Sequence, residues 1–547
     1  MSHVNMTSDS DPYKPDEAES AKYFFGFAGN PRLVARTSSN RWTEPQQEVD
    51  YYSSYSIVQV PKRYAAITEG IIIDRWGKDV DLAIIEALKP CAWNYFFPVK
   101  IGLERGEYWV PSIPSWPTVL LIAVEPDSLQ WVDGIAVALE CRKILGNFGI
   151  AGIEVEICEG QHTHHAASAK IEAEFMANPR GNTWFEPFSG PLGYPVAYLE
   201  DREGQGTMGL HLRLGDESSP VYGLTCRHVV SHDRPRKDAY RVSGEHRQYH
   251  IQGGEYVLNE AIGDLEYARG VLQGRVDNYQ SRQDRWDTWY VHDETMQHRR
   301  LSEKDMEEWE AQKKHIARFD KKLELLTEIK ERKARVIGHL AFHPSSEMSL
   351  LQPGYLRDWA LIELDPLQFK GGFENKMWMG CGPKKRVLHW IPPEGEFRTL
   401  RLDASTETSV AKRGMKTGLT SGAINGIEAV VRRPYTNGDT VNAWQLLIVP
   451  DPEYTHFSER GDSGACIFDV HGVVVGMVIG GSGNKPHGSD SQQLKEGNEY
   501  KLGEKERVEK RVQGISVTFA APIQWVLDDI ENFTGLKPRL CAEDGYL

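Results

Sequence analysis

A glycine-flanked serine followed by an apolar hairpin pattern constrains the fold of this chain more than any other feature. The stretch from Arg460 to Gly481 reads RGDSGACIFDVHGVVVGMVIGG. The two glycines in GDSG permit a tight turn in which the hydroxyl of Ser463 stands clear of the backbone, beside bare amide groups. The apolar runs at residues 465–468 and 473–479, separated by a polar turn, then predict a β-hairpin.

A serine hydroxyl is a poor nucleophile unless a base takes its proton and a third group orients that base. Residues 221–230, VYGLTCRHVV, predict a strand that ends at His228. Residues 356–364, LRDWALIEL, place Asp358 at the start of an apolar strand. Each residue alone has a structural explanation, as a buried histidine, a strand-start aspartate or a turn serine. Together, in the order His, Asp, Ser, they favour a nucleophilic site.

Two other aspartates compete with Asp358 for the third position. Asp233 and Asp264 also lie between the histidine and the serine. Neither is followed by so apolar a strand, so the sequence favours Asp358.

The three local sequences TCRHVV, DWALIEL and GDSGAC, in this order, resemble the motifs of the chymotrypsin-like (trypsin-like) serine proteases. The resemblance covers approximately residues 193–526. It implies that Ser463 attacks a substrate carbonyl, that His228 accepts and returns the proton, and that Asp358 holds the imidazole. It also implies a two-barrel, all-β protease domain. The expected fold class is therefore multi-domain α+β, with a small α/β domain preceding that protease domain.

The same resemblance assigns the groups around the serine. The backbone N–H groups of Gly461 and Ser463 would form an oxyanion hole. Phe457 stands where trypsin has an aspartate, so a preference for basic residues is not implied; an apolar or small residue is expected before the scissile bond. Residues 480–481 lie where the family pairs the substrate backbone with an edge strand. The residues expected to contact substrate are Phe457, Ser458, Gly480 and Gly481.

Three positions depart from the family pattern. Val229 follows the histidine, where secreted members usually carry a cysteine, and Ile479 replaces a serine that supports the catalytic aspartate in many relatives. Asp462 pairs with a newly cut N-terminus in secreted relatives, but this chain has a long N-terminal region and no evident processing site. Either Asp462 is satisfied locally, with a structural role in the turn, or the enzyme is latent.

Three functions are compatible with these motifs. The first is an intracellular serine endopeptidase, and the second is a latent or inactive protease-like scaffold that binds partner proteins. An esterase is the third, but the α/β-hydrolase fold has a GxSxG elbow and the order Ser, Asp, His. Residues 461–465, GDSGA, lack the final glycine of that elbow. An endopeptidase is favoured, because a scaffold has no physical need for all three triad residues.

Composition limits the compartment and the partners. The chain has 547 residues and a formal net charge of −15, which argues against a general nucleic-acid-binding surface. Its seven cysteines are an odd number without close-pair spacing, so neither a disulfide framework nor a CxxC zinc site is indicated. The N-terminus lacks an apolar core, and no run reaches membrane-spanning length. We expect a reduced, cytoplasmic protein, with the nucleus as an alternative, that is not secreted and does not contact membranes.

Changes in composition along the chain suggest four regions. Residues 1–50 are rich in Ser, Asp, Asn, Pro and Glu and resemble a flexible tail. Residues 51–185 form a predicted α/β domain of unreadable role, and residues 186–535 form the protease-like domain with a helical insertion at about 300–335. Residues 536–547 are expected to be a C-terminal tail.

The predicted α/β domain contains a strand–helix–strand unit. Residues 118–124 are a continuous apolar run, residues 128–145 carry apolar positions on one helical face, and residues 153–157 alternate. No glycine cluster follows the first strand, so neither a phosphate loop nor a dinucleotide fingerprint is recognised, and no cofactor is expected. The next stretch is interpreted as a solvated histidine-rich loop without an assigned metal, and its histidines are His162, His164 and His165.

A helix with a narrow apolar stripe is predicted in the insertion. Ser302 precedes an acidic residue three positions on, Asp305, which is a helix-start pattern, and apolar residues recur up to Leu326 at coiled-coil spacing. The helix at residues 302–335 packs either on its own chain, which is favoured, or on a partner protein or second copy. The expected ligand of the active site is a protein or peptide substrate.

Overall fold

The structure is a computed structural model of the chain. It describes residues 14–51, 54–104, 116–164, 188, 191–200, 204–231, 239–242, 247–290, 292, 295–296, 300–345, 354–369, 372–379, 397–434, 440–483 and 514–541. The predicted domain boundary near residue 185, His165 and Asp233 lie outside these residues.

The helices lie in the N-terminal third, in the middle of the chain and near its C-terminal end. They are Glu17–Lys22 (α1), Ile71–Arg75 (α2), Lys78–Ala87 (α3), Trp131–Asn147 (α4), Arg227–Val230 (α5), Glu255–Arg285 (α6), Glu303–Glu328 (α7) and Ile523–Thr534 (α8), with a π-helical turn at Trp286–Tyr290 and a 3-10 turn at Arg332–Arg335.

Strands are distributed over the whole described chain. In the first half they are Leu33–Arg36 (β1), Gln46–Tyr51 (β2), Ser54–Gln59 (β3), Lys62–Ala65 (β4), Trp93–Leu103 (β5), Thr118–Val124 (β6), Glu154–Glu159 (β7), His162–His164 (β8), Pro195–Tyr198 (β9), Gln205–Thr207 (β10), Leu210–Leu214 (β11), Val221–Cys226 (β12), Tyr240–Arg241 (β13) and Tyr249–Gln252 (β14). In the second half they are Val336–His343 (β15), Trp359–Leu364 (β16), Lys376–Trp378 (β17), Phe397–Thr399 (β18), Ser409–Gly414 (β19), Gly418–Ile424 (β20), Ala429–Pro434 (β21), Thr440–Pro450 (β22), Cys466–Asp469 (β23), Val474–Ser482 (β24), Thr518–Pro522 (β25) and Pro538–Leu540 (β26).

Six strands of the C-terminal part close into a ring. The antiparallel pairs run β19–β20–β22–β25–β24–β23 and return to β19. Buried side chains from several of these strands, including Val410, Ile467, Val478 and Ala520, form one apolar cluster in this ring. The hairpin predicted after the serine is confirmed as β23 and β24.

A second sheet carries the histidine and the aspartate. Its strands follow the order β10-β9-β14-β15-β16-β12-β11-β26, and Trp359 of β16 lies opposite Cys226 of β12. One core joins this sheet to the ring, because Leu224, Leu361 and Met477 belong to the same cluster of buried residues. The chain therefore has a sheet-rich architecture of mixed α and β elements, as predicted. The division into two barrels and the domain boundaries stay predictions.

The N-terminal α/β unit shares a sheet with the ring. Its strands follow the order β1-β7-β6-β5, and α4 connects the parallel strands β6 and β7, which confirms the predicted strand–helix–strand unit. Strand β5 continues the sheet through β21, which pairs with β22 of the ring. The buried side chain of Asn425 reinforces this junction, since it accepts from the Ile67 amide at 2.7 Å and donates to the Pro98 carbonyl at 3.1 Å.

Both predicted tails differ from the structure. Within residues 14–50, Phe24 and Phe27 are buried in a core cluster, and β1 pairs with β7. Phe27 also forms a parallel bridge with Ile515, close to the C-terminal end. Near the other terminus, Pro538–Leu540 (β26) pairs with β11. The prediction gave too little weight to the apolar residues at 23–27, YFFGF, and to the short strands β1 and β26, which attach both segments to existing sheets.

The insertion is a helical hairpin that is larger than the predicted range of 300–335. It contains α6 as well as α7, and the capping box of Ser302 and Asp305 is present at the start of α7. Leu258, Leu265 and Leu326 are buried in the cluster that joins the two helices. The stripe of α7 thus packs on its own chain. The sequence did not reveal α6, because this helix is polar overall and begins after a glycine without a side-chain cap.

Within the described residues, no helix combines the length and the apolar composition that crossing a membrane requires.

Candidate active site

The imidazole of His228 lies between the other two predicted catalytic residues. Strand β12 ends at Cys226, and the single turn of α5 that follows carries His228. Its Nδ1 atom lies 2.6 Å from Oδ2 of Asp358, and its Nε2 atom lies 2.9 Å from Oγ of Ser463. The structure therefore brings together His228 and two side chains that lie 130 and 235 positions further along the chain.

The carboxylate of Asp358 is fixed by its surroundings as well as by the imidazole. It lies directly before β16, and its side chain is nearly buried, at 8% exposure. Its Oδ1 atom accepts from the backbone amide of His228 at 3.1 Å, while its own carbonyl accepts from the amide of Arg227 at 3.1 Å. These contacts hold the carboxylate against Nδ1, where it favours the tautomer that leaves Nε2 free to accept a proton.

The hydroxyl of Ser463 is fully buried at the interface between the ring and the second sheet. Besides its contact with His228, it lies within donating distance of the Ile479 carbonyl, at 3.2 Å. A hydroxyl has a single hydrogen and can donate to only one of these two acceptors at a time. The shorter contact, to Nε2, has the geometry that a base needs to remove the proton.

The turn around the serine depends on its glycines. Gly461 and Gly464 have φ angles of +113° and +92°, which side chains with a Cβ rarely adopt. A Cβ at Gly464 would also lie 2.3 Å from the carbonyl oxygen of Thr207. In the described part of the chain, the amides of Asp462 and Ala465 donate within this turn, whereas those of Gly461 and Ser463 form no backbone hydrogen bond. Two unengaged N–H groups beside a hydroxyl are the donors that an oxyanion hole requires.

A buried ion pair holds the residue that precedes the serine. Asp462 lies 3.2 Å from Nζ of Lys412 on β19, and both side chains are fully buried. The carboxylate also accepts from Thr417 Oγ1 at 2.6 Å and from the amide of Lys416 at 2.8 Å. Burial acts to raise the pKa of Asp462, but Lys412 and these hydrogen bonds outweigh it and hold the pKa below 3.8. Asp462 is therefore satisfied locally, which is one of the two possibilities left open by the sequence.

Burial shifts the pKa of Lys412 downward, whereas it acts to raise the pKa of Asp462. Desolvation lowers the pKa of the ammonium from 10.5, and the neighbouring Asp462 carboxylate acts against this shift. The ammonium also donates to Thr417 Oγ1 and to the carbonyl of Gly418, the latter at 3.1 Å. The two partners thus stabilise each other's charged form in the interior of the ring.

Thr207 on β10 supports the serine turn from the other sheet. Its amide donates to the Ser463 carbonyl at 2.8 Å, and its hydroxyl donates to the Gly461 carbonyl at 3.0 Å. The same hydroxyl oxygen accepts from the amide of Met415 at 3.0 Å. Sequence reasoning missed both Thr207 and Lys412. Neither residue has a local signal, because Lys412 lies in the mixed stretch SVAKRG and Thr207 lies in a strand of three residues.

The two residues expected to border the substrate pocket are fully or almost fully buried. The ring of Phe457 lies in the core cluster with Ile448 and Val478, and its carbonyl accepts from Thr420 Oγ1 at 2.6 Å. The hydroxyl of Ser458 lies 2.6 Å from that of Thr518. The contribution of these two residues to a pocket stays a prediction.

Gly480 and Gly481 lie within β24, which extends beyond the predicted strand end at residue 479, and a strand from the N-terminal part pairs with them. Gly480 lies opposite His164, Gly481 opposite Thr163 and Ser482 opposite His162, in antiparallel orientation. The prediction of a solvated loop is therefore wrong for residues 162–164. The polar histidines suggested a loop, but strand pairing uses the backbone, and the backbone of this segment pairs with the edge of β24.

A cysteine stands close to the histidine and the aspartate. Ligand atoms of Cys226, His228 and Asp358 lie within 4.8 Å of one another, a separation that could suit a metal ion. However, burial raises the pKa of the Cys226 thiol well above 9.0, and its sulfur donates to the Val478 carbonyl at 3.2 Å. A metal would require the thiolate. This donor set therefore fits a neutral thiol packed beneath His228 better than it fits a metal site.

The competing aspartate Asp264 lies on α6 of the helical hairpin. Its position in the insertion leaves Asp358 as the partner of His228 among the described residues.

Comparisons with known proteins found similarity only at the level of structure. No protein-family model and no curated protein matches the chain. Among solved structures, a glutamic acid specific serine protease is 11% identical, with a TM-score of 0.26, and the match covers 63% of this chain and 98% of that one. Protease A of Thermobifida fusca is 13% identical, with a TM-score of 0.27 and coverage of 64% and 99%.

Two further matches are proteases from other bacteria. The Nocardiopsis protease is 13% identical, with a TM-score of 0.28 and coverage of 64% of this chain and 99% of that one. The chymotrypsin of Cellulomonas bogoriensis is 18% identical, with a TM-score of 0.20 and coverage of 38% and 79%. At such low TM-scores, any catalytic role must be argued from the geometry described above. The solved structures that this chain resembles are chymotrypsin-like and trypsin-like serine proteases, the family whose motifs its sequence resembles.

Proposed function

We propose that this protein is a serine endopeptidase that hydrolyses peptide bonds through Ser463, His228 and Asp358. The observation that carries the proposal is the pair of contacts on one imidazole, 2.9 Å from Nε2 to the hydroxyl and 2.6 Å from Nδ1 to the carboxylate. A base held in one tautomer and in hydrogen-bond reach of a hydroxyl is the arrangement that activates a serine. The buried, glycine-flanked turn supports the same role.

The reaction would follow from these contacts in two stages. Ser463 Oγ attacks the carbonyl carbon of the peptide bond while His228 Nε2 takes its proton, and the oxygen that becomes negative is stabilised by the amides of Gly461 and Ser463. The imidazolium, stabilised by Asp358, then gives the proton to the leaving amine. Water, deprotonated by His228 in the same way, releases the acyl group from the serine.

The ion pair of Lys412 and Asp462 supports a turn that is preformed in the intact chain. In secreted relatives a new N-terminus supplies the cation that holds this aspartate, and Lys412 supplies it here from within the ring. Activation by removal of an N-terminal segment is therefore unnecessary for the turn itself. An intracellular setting and a peptide or protein substrate belong to the same proposal.

A small fluorophosphonate probe, which phosphonylates an activated serine hydroxyl with loss of fluoride, tests the proposal on the full-length protein. We expect labelling of the wild type and none of Ser463→Ala. His228→Ala should label at least about 100-fold more slowly, because general base catalysis contributes about 10²–10⁴. Ser421→Ala is a matched control, since this hydroxyl is also fully buried but donates to the Asp451 carboxylate. Absence of wild-type labelling under native conditions would instead favour the inactive scaffold.

A further inference from the structure

The short strand β8 occupies the edge of β24 that lies next to the serine. On one side, β24 pairs with β23 at residues 466–468 and on the other with β25 along most of its length. β23 pairs with β24 as far as Met477, and Gly464 and Ala465 continue this pairing to Val478, so residues 479–482 of β24 extend beyond β23. Residues His162–His164 pair with this part, at Gly480–Ser482.

The hydrogen-bond register of β8 follows from a neighbouring contact. The amide of Gly483 donates to the carbonyl of Gln161 at 3.1 Å. In an antiparallel pair, hydrogen-bonded and non-hydrogen-bonded positions alternate, so the next hydrogen-bonded pair is Thr163 with Gly481. The amide of Thr163 is thereby placed to donate to Gly481. This single backbone donor is a point at which the strand can be weakened selectively.

The direction of β8 leads toward the nucleophile. As the chain advances from His162 to His164, its partners recede from Ser482 to Gly480. The next residue of β24 is Ile479, whose carbonyl lies 3.2 Å from the hydroxyl of Ser463. An extended peptide that pairs with this edge in the same orientation would present its following residues to that hydroxyl. β8 therefore lies on the edge, and in the direction, that a bound substrate backbone would use.

The side chain of His162 attaches the strand at its first residue. Its ring stacks on Phe519, with centroids 5.4 Å apart and an interplanar angle of 14°. Its Nε2 atom lies 3.1 Å from Nη2 of Arg433, a side chain of β21 that is itself buried. Upstream, the Gln161 side chain donates to Glu125 at 3.2 Å. The segment is thus held by both the ring and the α/β unit.

From this placement we infer that β8 is a built-in occupant of the substrate edge, which an external peptide must displace before it can be cleaved. This inference rests on the proposed function. An occupant on the same chain competes at an effective concentration in the millimolar range or above, which is enough to outcompete most short peptides. The intact protein should therefore cleave peptides slowly, because β8 blocks their binding, although Ser463 is already activated.

Two substitutions at one position test the inference on the full-length protein. Thr163→Pro removes the amide that the register assigns to Gly481, and Thr163→Val keeps it. Two readouts are compared, namely labelling by a small fluorophosphonate, which does not need the edge, and kcat/KM for an extended peptide selected from a library. We expect equal labelling of all three proteins, and a rise of about tenfold or more in kcat/KM for Thr163→Pro alone.

The outcomes separate the inference from the proposed function. If the wild type is not labelled, the proposed function fails. If all proteins are labelled equally and Thr163→Pro cleaves peptides no faster than Thr163→Val, the strand does not restrain the enzyme and the inference is overturned. Should Thr163→Pro fail to fold, His162→Ala replaces it, because this change removes the ring that contacts Phe519 and Arg433. A synthetic peptide of residues 160–165 should then inhibit His162→Ala, and a lack of inhibition also contradicts the inference.

Discussion

Replacement of Lys412 by methionine should damage both stability and activity, because it leaves Asp462 as an unpaired charge in the ring. Both side chains are fully buried, and their charged groups lie 3.2 Å apart. Removing one partner of a buried pair costs about 3–5 kcal/mol. For a cooperative unit of about 150–250 residues, each kcal/mol corresponds to about 2–4 °C, so the unfolding temperature should fall by roughly 6–20 °C.

The loss in Lys412→Met should depend on pH. In the wild type the pKa of Asp462 lies below its ordinary value of 3.8, so its stabilising contribution is complete above that value and is lost as the pH falls through the lower folded pKa. Without the ammonium, burial dominates and favours the protonated carboxyl. The destabilisation should therefore be largest near neutral pH and shrink as the pH is lowered toward 4.

Thermal unfolding and fluorophosphonate labelling measure these effects. A turn that no longer holds the Gly461 amide in place should lower the labelling rate by about 10²–10³, the usual effect of losing one oxyanion donor. The double variant Lys412→Met, Asp462→Asn removes both charges and should recover much of the lost stability. A single variant as stable as the wild type, or a double variant no more stable than the single one, would refute the reasoning.

Three further changes probe the triad, the serine turn and the junction of the α/β unit with the ring. Asp358→Asn should slow labelling by about 10⁴ without a large change in unfolding temperature, because the imidazole loses the group that sets its tautomer. Gly464→Ala should prevent labelling or folding, because the added Cβ would clash with the Thr207 carbonyl. Gly70→Ala, at a similar positive φ but without neighbouring atoms, should cost only about 1–3 kcal/mol of stability. Equal unfolding temperatures for the two variants would contradict the steric argument. Asn425→Ala should lower the unfolding temperature, because it leaves the Ile67 amide and the Pro98 carbonyl without this partner, at a cost of about 1–3 kcal/mol each. An unchanged unfolding temperature would show that these contacts at the junction contribute little to stability.

The positions of the three triad residues could be predicted because each stands at a junction that local sequence reveals. His228 follows an apolar strand, Asp358 precedes one, and Ser463 is enclosed by glycines. Their mutual distances follow from strand pairing between β12 and β16 and from contacts of the ring with the second sheet. The catalytic role of each residue, like those of the oxyanion and pocket residues, stays a prediction.

The features that sequence reasoning missed depend on long-range contacts between segments with weak local signals. Lys412 appears as an ordinary strand lysine until its burial beside Asp462 is known. The β8 segment resembles a polar loop, since its pairing uses backbone groups that every residue carries. Residues 23–27, YFFGF, are apolar but stand next to a polar N-terminal stretch, and Phe24 and Phe27 are placed in a core that other segments complete.

The contact between the two ends of the described chain affects how the protein can be made. The amide of Ala28 donates to the Ile515 carbonyl at 3.0 Å, and the amide of Ile515 donates to the Gly26 carbonyl at 2.7 Å. The ring likewise needs β25, at Thr518–Pro522, to close against β22. On the ribosome, residues near position 27 cannot form these bonds until residue 515 has been synthesised, which favours slow, late assembly and a need for protection against aggregation in the meantime.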